Sequence, residues 1–209
     1  TGTETNESAK PLPLFAYQQD DSSIDEEDGP IRVAYVGAQP VYTSSQYWVK
    51  QVVRVNIAHV VTVSYNGNDT TYTLDDLESL EAVTGDGGMS TKNGISGPWT
   101  FTGVSFTTLL QDVGVADIES ITMTVGAADG WSQTFHTAAI QGELTIYNAS
   151  GNETNSDVNL TAILAYQQDG AYIGMDDGPF RVAFVSEHPV YTNSRYWVKQ
   201  VVHINVTDI

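Results

Sequence analysis

The sequence predicts a strand-rich α+β fold. One complete domain with two short helices follows a β-rich partial copy of its own C-terminal half. Three observations predict this. The stretch YWVKQVV at residues 47–53 recurs letter for letter at residues 196–202, and self-similarity at a fixed offset marks duplicated structure. Apolar and polar residues alternate with the period of a strand over much of the chain. Helical spacing of apolar residues is confined to two stretches, near residues 73–83 and 105–114.

The repeat fixes the organisation. Tyr17 falls on Tyr166, an offset of 149. The same offset carries AYQQD at 16–20 onto 165–169, and DGPIRVAYV at 28–36 onto DGPFRVAFV at 177–185. Residues 60–147 have no second copy. The chain therefore reads as residues 1–59, the C-terminal half of a preceding domain, and residues 60–209, a complete domain. A period of this size belongs to tandem domains rather than to a solenoid.

Within the complete domain, VVTVSYNGND (60–69) alternates and then turns at Asn-Gly, which reads as a strand. TLDDLESLEAV follows, with Thr73 as N-cap, Asp75 and Asp76 in the first turn, and Leu74, Leu77 and Leu80 at helical spacing. SFTTLLQDVG is the second helix: Ser105 caps it, Phe106, Leu109, Leu110 and Val113 form its stripe, and Gly114 closes it. ESITMTVGAADGWSQTFHT reads as two strands around a Gly/Asp turn. AILAYQQ, PFRVAFV and YWVKQVVHINV read as further strands. In the last, Tyr196, Val198, Val202, Ile204 and Val206 are expected to share the core face. Trp197, Lys199, Val201, His203 and Asn205 are expected on the other.

Composition narrows the function. The formal net charge is −18, from 8 Lys and Arg against 26 Asp and Glu. Such a field repels nucleic acid and anionic membranes. No apolar run reaches the roughly eighteen residues of a membrane span. The sequence opens without a leader pattern, so an exported protein would be a mature form or a fragment. There is no cysteine, hence no disulfide and no thiolate ligand or nucleophile. N-x-[ST] acceptor patterns occur at Asn6, Asn68, Asn148, Asn152, Asn159 and Asn205, and glycosylation needs export. A composition rich in Thr and Asn is the competing source of that pattern. Extracellular location without disulfides fits a prokaryotic, archaeal surface protein better than a small secreted eukaryotic module.

Residues 60–209 resemble the molybdopterin-binding domain of the sulfite oxidase-like oxidoreductases. The resemblance rests on YTLDDLESL, WTFTGVSFTTLLQDVGV, GAADGWSQTF, DGPFRVAFV and YWVKQVVHINV, in that order. It implies a molybdopterin fold and a cleft near Asp129, Trp131, His136, Arg195 and Lys199. Lys199 sits at the family's lysine position, and Arg195 lies one residue from the usual site of its neighbour. The family's enzymes also hold molybdenum with a Cys between the first helix and the G-V-P-L segment. Here that interval, TGDGGMSTKNGISGPWTF, contains Met89 and Ser90 but no Cys. Neutral thioether and hydroxyl groups are poor substitutes for a thiolate. No molybdopterin cofactor and no sulfite oxidase-type catalysis are therefore expected.

The remaining candidates have plain competing explanations. Arg195 and Lys199 beside an aromatic could hold an anion, or Lys199 and its counterpart Lys50 could simply face solvent and pair with carboxylates. The first copy has Gln46 where the second has Arg195, so an anion site would not be duplicated. Asp25, Glu26, Glu27 and Asp28 crowd one loop, which implies at most a weak divalent-cation contact, because the stretch lacks calcium-loop spacing. Solvation of that loop is the alternative. His59, His136, His188 and His203 show no metal-binding spacing.

The expected function is a non-catalytic structural or self-assembly protein of an extracellular cell envelope layer, sheath or filament. Its partners would be neighbouring domains or further copies, through the orphan segment containing Tyr47, Trp48, Val49 and Val53. An uncovered strand edge there is an aggregation hazard unless protein covers it. The alternative is a surface module that binds a pterin-like or anionic ligand without chemistry. A molybdenum oxidoreductase lacking Cys ranks third.

Overall fold

The computed structural model describes residues 12–16, 18–19, 22–24, 27, 31–36, 48–51, 59–154 and 158–209. The chain divides into two compact units, Thr1–Ile57 and Ala58–Ile209. Asn6, Asp25, Glu26, Asp28, Tyr47 and Val53 lie outside the described residues.

The first unit contains β1 (Leu12–Ala16), β2 (Gln18–Gln19), β3 (Ser22–Ser23) and β4 (Arg32–Val36). Strands β1 and β4 pair antiparallel, as do β2 and β3.

The second unit is α+β and dominated by strands. It begins with β5 (Val60–Tyr65), β6 (Asn68–Thr73) and α1 (Leu74–Ser79), then β7 (Ala82–Thr91), β8 (Gly94–Ser105) and α2 (Phe106–Asp112). Next come β9 (Ile121–Ala127), β10 (Ser132–His136), α3 (Thr137–Ile140), β11 (Ile146–Tyr147) and β12 (Glu153–Thr154). It ends with β13 (Thr161–Gln168), β14 (Ala171–Tyr172), β15 (Arg181–Val185), β16 (Tyr191–Asn193) and β17 (Val201–Asp208). One sheet runs β10-β9-β17-β5-β6. The other runs β12-β11-β16-β7-β8-β13-β14, with β15 on β13. Aromatic rings tie the two layers together. Phe135 of β10 meets Phe106 of α2 at 6.0 Å and Phe184 of β15 at 6.4 Å between ring centroids.

Both expected helix starts form as their side chains dictate. Thr73 accepts a hydrogen bond from Asp76 N, while Asp76 accepts from Thr73 N at 2.8 Å, a capping box. Ser105 Oγ accepts from Thr108 N at 2.9 Å. A six-residue helix has little to spare, since most of its amides lie within the unpaired first turn. Thr73→Ala is expected to cost about 1 kcal/mol in denaturant unfolding; an unchanged midpoint would show that packing of Leu77 alone holds the helix.

The Gly-rich interval after α1, to which the sequence assigns no element, forms β7 and the start of β8, paired over nearly their whole length. Glycine depresses strand propensity, which hides the hairpin. The structure supplies the reason for the glycines, because neighbouring backbone passes where side chains would stand. A Cβ at Gly87 would lie 2.0 Å from Phe184 O, and one at Gly103 would lie 2.2 Å from Leu164 O.

One sequence expectation is corrected, that of the closing strand. It does not run unbroken from Tyr196. Residues Ser194–Tyr196 form a 3-10 turn, Gln200 has φ 49°, and a register shift falls between Val201 and His203. That irregularity resets the alternation. Trp197, Val198, Val201, Ile204 and Val206 are buried, whereas Val202 is exposed. Lys199, His203 and Asn205 are exposed as expected.

The repeat holds at the level of individual bonds. The β1/β4 register Leu12↔Val36 through Ala16↔Arg32 matches the β13/β15 register Thr161↔Val185 through Ala165↔Arg181. Gln18↔Ser23 matches Gln167↔Tyr172. Val33 N donates to Val49 O at 2.8 Å, as Val182 N donates to Val198 O at 2.8 Å. Gln51 has φ 51° where Gln200 has φ 49°. Gln51 Nε2 donates to Glu27 O, as Gln200 Nε2 donates to Asp176 O. The rings of Tyr35 and Trp48 stand 6.1 Å apart, those of Phe184 and Trp197 6.2 Å. A shared local sequence thus builds the same local structure in both units.

Candidate functional site: a mixed-charge cleft beside a buried arginine

Two turns of the complete domain converge on a cleft of about 480 Å³. The β9–β10 turn brings Asp129 and Trp131, and the segment after β16 brings Ser194, Arg195, Trp197 and Lys199. Asp176 lines it as well. Four of the five residues expected near a cleft therefore meet. The fifth, His136, does not. It ends β10 opposite Thr122, four residues beyond Ser132, about 13 Å along an extended strand. Strand extension carries it away from the turn that holds Asp129.

The cleft's charges are largely engaged within the domain. Asp129 Oδ1 accepts from Trp131 N at 2.9 Å, which shapes the turn and leaves the indole exposed. Lys199 Nζ donates to Asp177 Oδ1 at 2.5 Å. Arg195 Nη2 donates to Tyr196 Oη at 2.5 Å, and its guanidinium lies 4.5 Å from the centroid of the same ring. Among the described residues no carboxylate pairs with Arg195, whose partner is a neutral phenol. Arg195 is therefore the cation best placed to meet an anion.

Behind the cleft lies a residue that the sequence reading did not single out. Arg181 is 2% exposed, although it carries a permanent charge. Its guanidinium lies 5.4 Å from the Phe101 ring centroid and 5.7 Å from that of Trp197. Nη1 donates to Asp177 Oδ2 at 3.2 Å, while Nε and Nη2 find no hydrogen-bond acceptor among the described residues. The aromatic faces and Asp177 offset part of the desolvation cost. Asp177 thus serves two cations, and Lys199 first, then the charge of Arg181, hold its carboxyl below the ordinary carboxylate range. Burial pushes Arg181 in the direction of losing its proton, opposed by Asp177. A signal for Arg181 did exist in the sequence: both copies keep Arg inside an apolar run, at Arg32 and Arg181. Arg32 likewise lies 5.5 Å from the Trp48 ring centroid.

The other sequence candidates sit as follows. Asn68, Asn148, Asn152, Asn159 and Asn205 are all exposed, so each side-chain amide is accessible to a glycan. Glu27 is exposed, and among the described residues no group of three His, Asp or Glu side chains could hold a metal ion. Trp48 is half-buried and Val49 exposed. Met89 lies partly buried against the core. No helix among the described residues is long and apolar enough to cross a membrane.

No family model matches the sequence, and no curated protein matches it. Among solved structures, the crystal structure of the sulfane dehydrogenase SoxCD from Paracoccus pantotrophus is similar at 13% identity and a TM-score of 0.49. The likeness covers 100% of this chain and 56% of that chain; it is a distant likeness of fold.

Proposed function

We propose that this is a non-catalytic structural protein of a prokaryotic, archaeal cell envelope, sheath or filament, built from tandem domains that associate through their edges. One observation carries the reading. The same half-domain occurs twice at an offset of 149 residues and builds the same strand pairing in both units, the signature of a tandem-domain chain. Five accessible glycan acceptors, the net charge of −18 and the tandem duplication agree with an extracellular location. The residues present do not fit a molybdenum–pterin centre. The chain has no thiolate, and Met89, the sulfur of the relevant interval, packs against the core as a neutral thioether. We therefore assign no redox step.

The decisive experiment is the intact mass and assembly state of material taken from its native source. Polymeric or envelope-bound, glycosylated protein is the expected result. A dispersed monomer from which residues 1–59 are readily removed by protease would sink the assembly reading.

Arg195 favours a second reading, a surface module that binds an anionic ligand in the cleft. Native mass spectrometry would find a stoichiometric organic anion in that case. Arg195→Ala would then weaken its retention at least tenfold, while Thr73→Ala would not.

A further inference from the structure

Trp131 stands 58% exposed at the turn between β9 and β10. An exposed aromatic alone needs no explanation; what sets this one apart is the group of polar side chains held beside it. Three segments are bonded together at Gln200. Its carbonyl accepts from Ala128 N at 2.9 Å, and its main-chain N–H donates to Asp177 O at 3.2 Å. Its side-chain Nε2 donates to Met175 O at 3.0 Å and to Asp176 O at 3.3 Å. The turn itself is closed by Ala127 N donating to Trp131 O at 2.8 Å. The cleft of about 480 Å³ between these segments is therefore preformed. Its volume falls within the roughly 300–1,000 Å³ of small-molecule sites.

The hydrogen-bonding capacity left over in the cleft is two-sided. Among the described residues, Asp129 uses Oδ1 on Trp131 N and keeps Oδ2 open. Asp176 is exposed, and no described group donates to its carboxylate. Gln200 commits its Nε2 and keeps Oε1. Arg195 gives one donor to Tyr196 Oη, Lys199 gives one to Asp177, and both retain others. Acceptors and donors thus surround one indole, with the carboxylates of Asp129 and Asp176 set against the cations of Arg195 and Lys199. A simple anion would meet the carboxylates, and a simple cation would meet Arg195 and Lys199. A purely apolar ligand would strip water from all of these charges and replace none of its hydrogen bonds. A neutral polyol satisfies both sets, because each hydroxyl donates and accepts. Its apolar C–H face would cover the indole.

We propose that the cleft is a carbohydrate site for a pyranose ring, with the C–H face of the sugar on Trp131 and its hydroxyls shared between the carboxylates of Asp129 and Asp176 and the guanidinium of Arg195. The assignment departs from the anion reading of the same cleft, because here the carboxylates take part in binding rather than opposing it. It does not rest on the structural reading, since the sugar binds a single chain. Two sources carry the same chemistry: a glycan on one of the exposed asparagines of another copy, and a separate polysaccharide.

The test titrates the full 209-residue chain, prepared without glycans, with the methyl glycosides of glucose, mannose, galactose and N-acetylglucosamine. The Trp131 indole N–H is followed by NMR, together with saturation transfer to the sugar. The expected result is a saturable shift with at least one glycoside and transfer to its C–H protons. Trp131→Ala and Asp176→Ala should each weaken binding at least tenfold, read from the sugar's own signals, while Thr73→Ala should not. Both cleft side chains are exposed, and an unchanged urea midpoint shows that each variant is folded; if Trp131→Ala fails that check, Asp176→Ala decides. No saturable shift with any of the glycosides, or equal binding by Asp176→Ala, overturns the proposal. So does sodium sulfate binding that Asp176→Ala tightens, because losing a carboxylate strengthens an anion site and weakens a sugar site. Free glycoside should disperse native assemblies if the ring belongs to a glycan of a neighbouring copy, and leave them intact if it belongs to a separate polysaccharide. Monomeric native material that binds glycoside sinks the structural reading and leaves this one standing. Polymeric material whose chain binds none does the reverse.

Discussion

Gly103→Ala is expected to destabilise the complete domain by about 3 kcal/mol or more, read as a lower denaturant midpoint with an unchanged slope. The added Cβ would sit 2.2 Å from Leu164 O, with Ala165 Cα at 2.6 Å. Both are backbone atoms of the neighbouring strand β13, so no flexible side chain can move aside. Overpacking a core typically costs about 1–3 kcal/mol, and a clash with fixed sheet backbone belongs at the upper end. Gly114→Ala is the control. A Cβ there meets nothing within 4 Å, and only its φ of 87° opposes the change. That backbone strain should cost about 1–2 kcal/mol. If both variants lose equally little, the sheet is looser at Gly103 than the close approach implies.

Asp177→Ala is expected to cost about 3 kcal/mol, and Arg181→Met less than half as much. The order follows from what each change leaves behind. Removing Asp177 strands a 2%-exposed guanidinium between Phe101 and Trp197 with no counter-charge, and breaking a buried pair costs roughly 3–5 kcal/mol. The lower end applies because Asp177 itself is 40% exposed, and water weakens its attraction. Removing Arg181 leaves Asp177 still bonded to Lys199 and deletes two donors that have no acceptor among the described residues; methionine then fills much of the space. The reverse order in urea unfolding would show that Arg181 packing outweighs its charge.

The same pair sets an acid limit. The carboxyl of Asp177 is held below its unfolded value, first by the hydrogen bond from Lys199 and then by the charge of Arg181. Its contribution is therefore present above the unfolded pKa of about 3.9 and is lost as pH falls through the lower folded value. Stability of the wild-type chain should drop on going below about pH 4, and part of that drop should vanish in Asp177→Asn.

Much of the fold was legible because it rests on local chemistry. Thr73 and Ser105 announce their helices as caps, and the apolar spacing that follows each of them fixes the buried side. The strands around the Gly/Asp turn at 127–131 alternate cleanly enough to be read directly. The repeat was legible too, and it extends to bonds: Val49 O and Val198 O accept from equivalent amides. The β7–β8 hairpin was not legible. Its glycines answer to backbone passing close by, at Phe184 O and Leu164 O, and no window of sequence contains both partners. Of the five residues named for a cleft, Asp129, Trp131, Arg195 and Lys199 line one, while the extension of β10 carries His136 away from it.

The amino-acid order alone determined that one half-domain is present twice, where both helices start, and that no thiolate can bind a metal. These depend on residue identity and on neighbours within a few positions. Tertiary structure decided the rest. It turned a run of glycines into a central hairpin, buried Arg181 between two rings, and assigned the faces of the closing strand through the irregularity at Gln200. Above all it separated two identical stretches by their surroundings. Trp197 is buried with Phe101 of β8 and Phe184 of β15 against its ring, while the same letter at Trp48 is half-buried. Burial belongs to the assembly of distant segments, and a repeated heptapeptide carries no record of which copy has them.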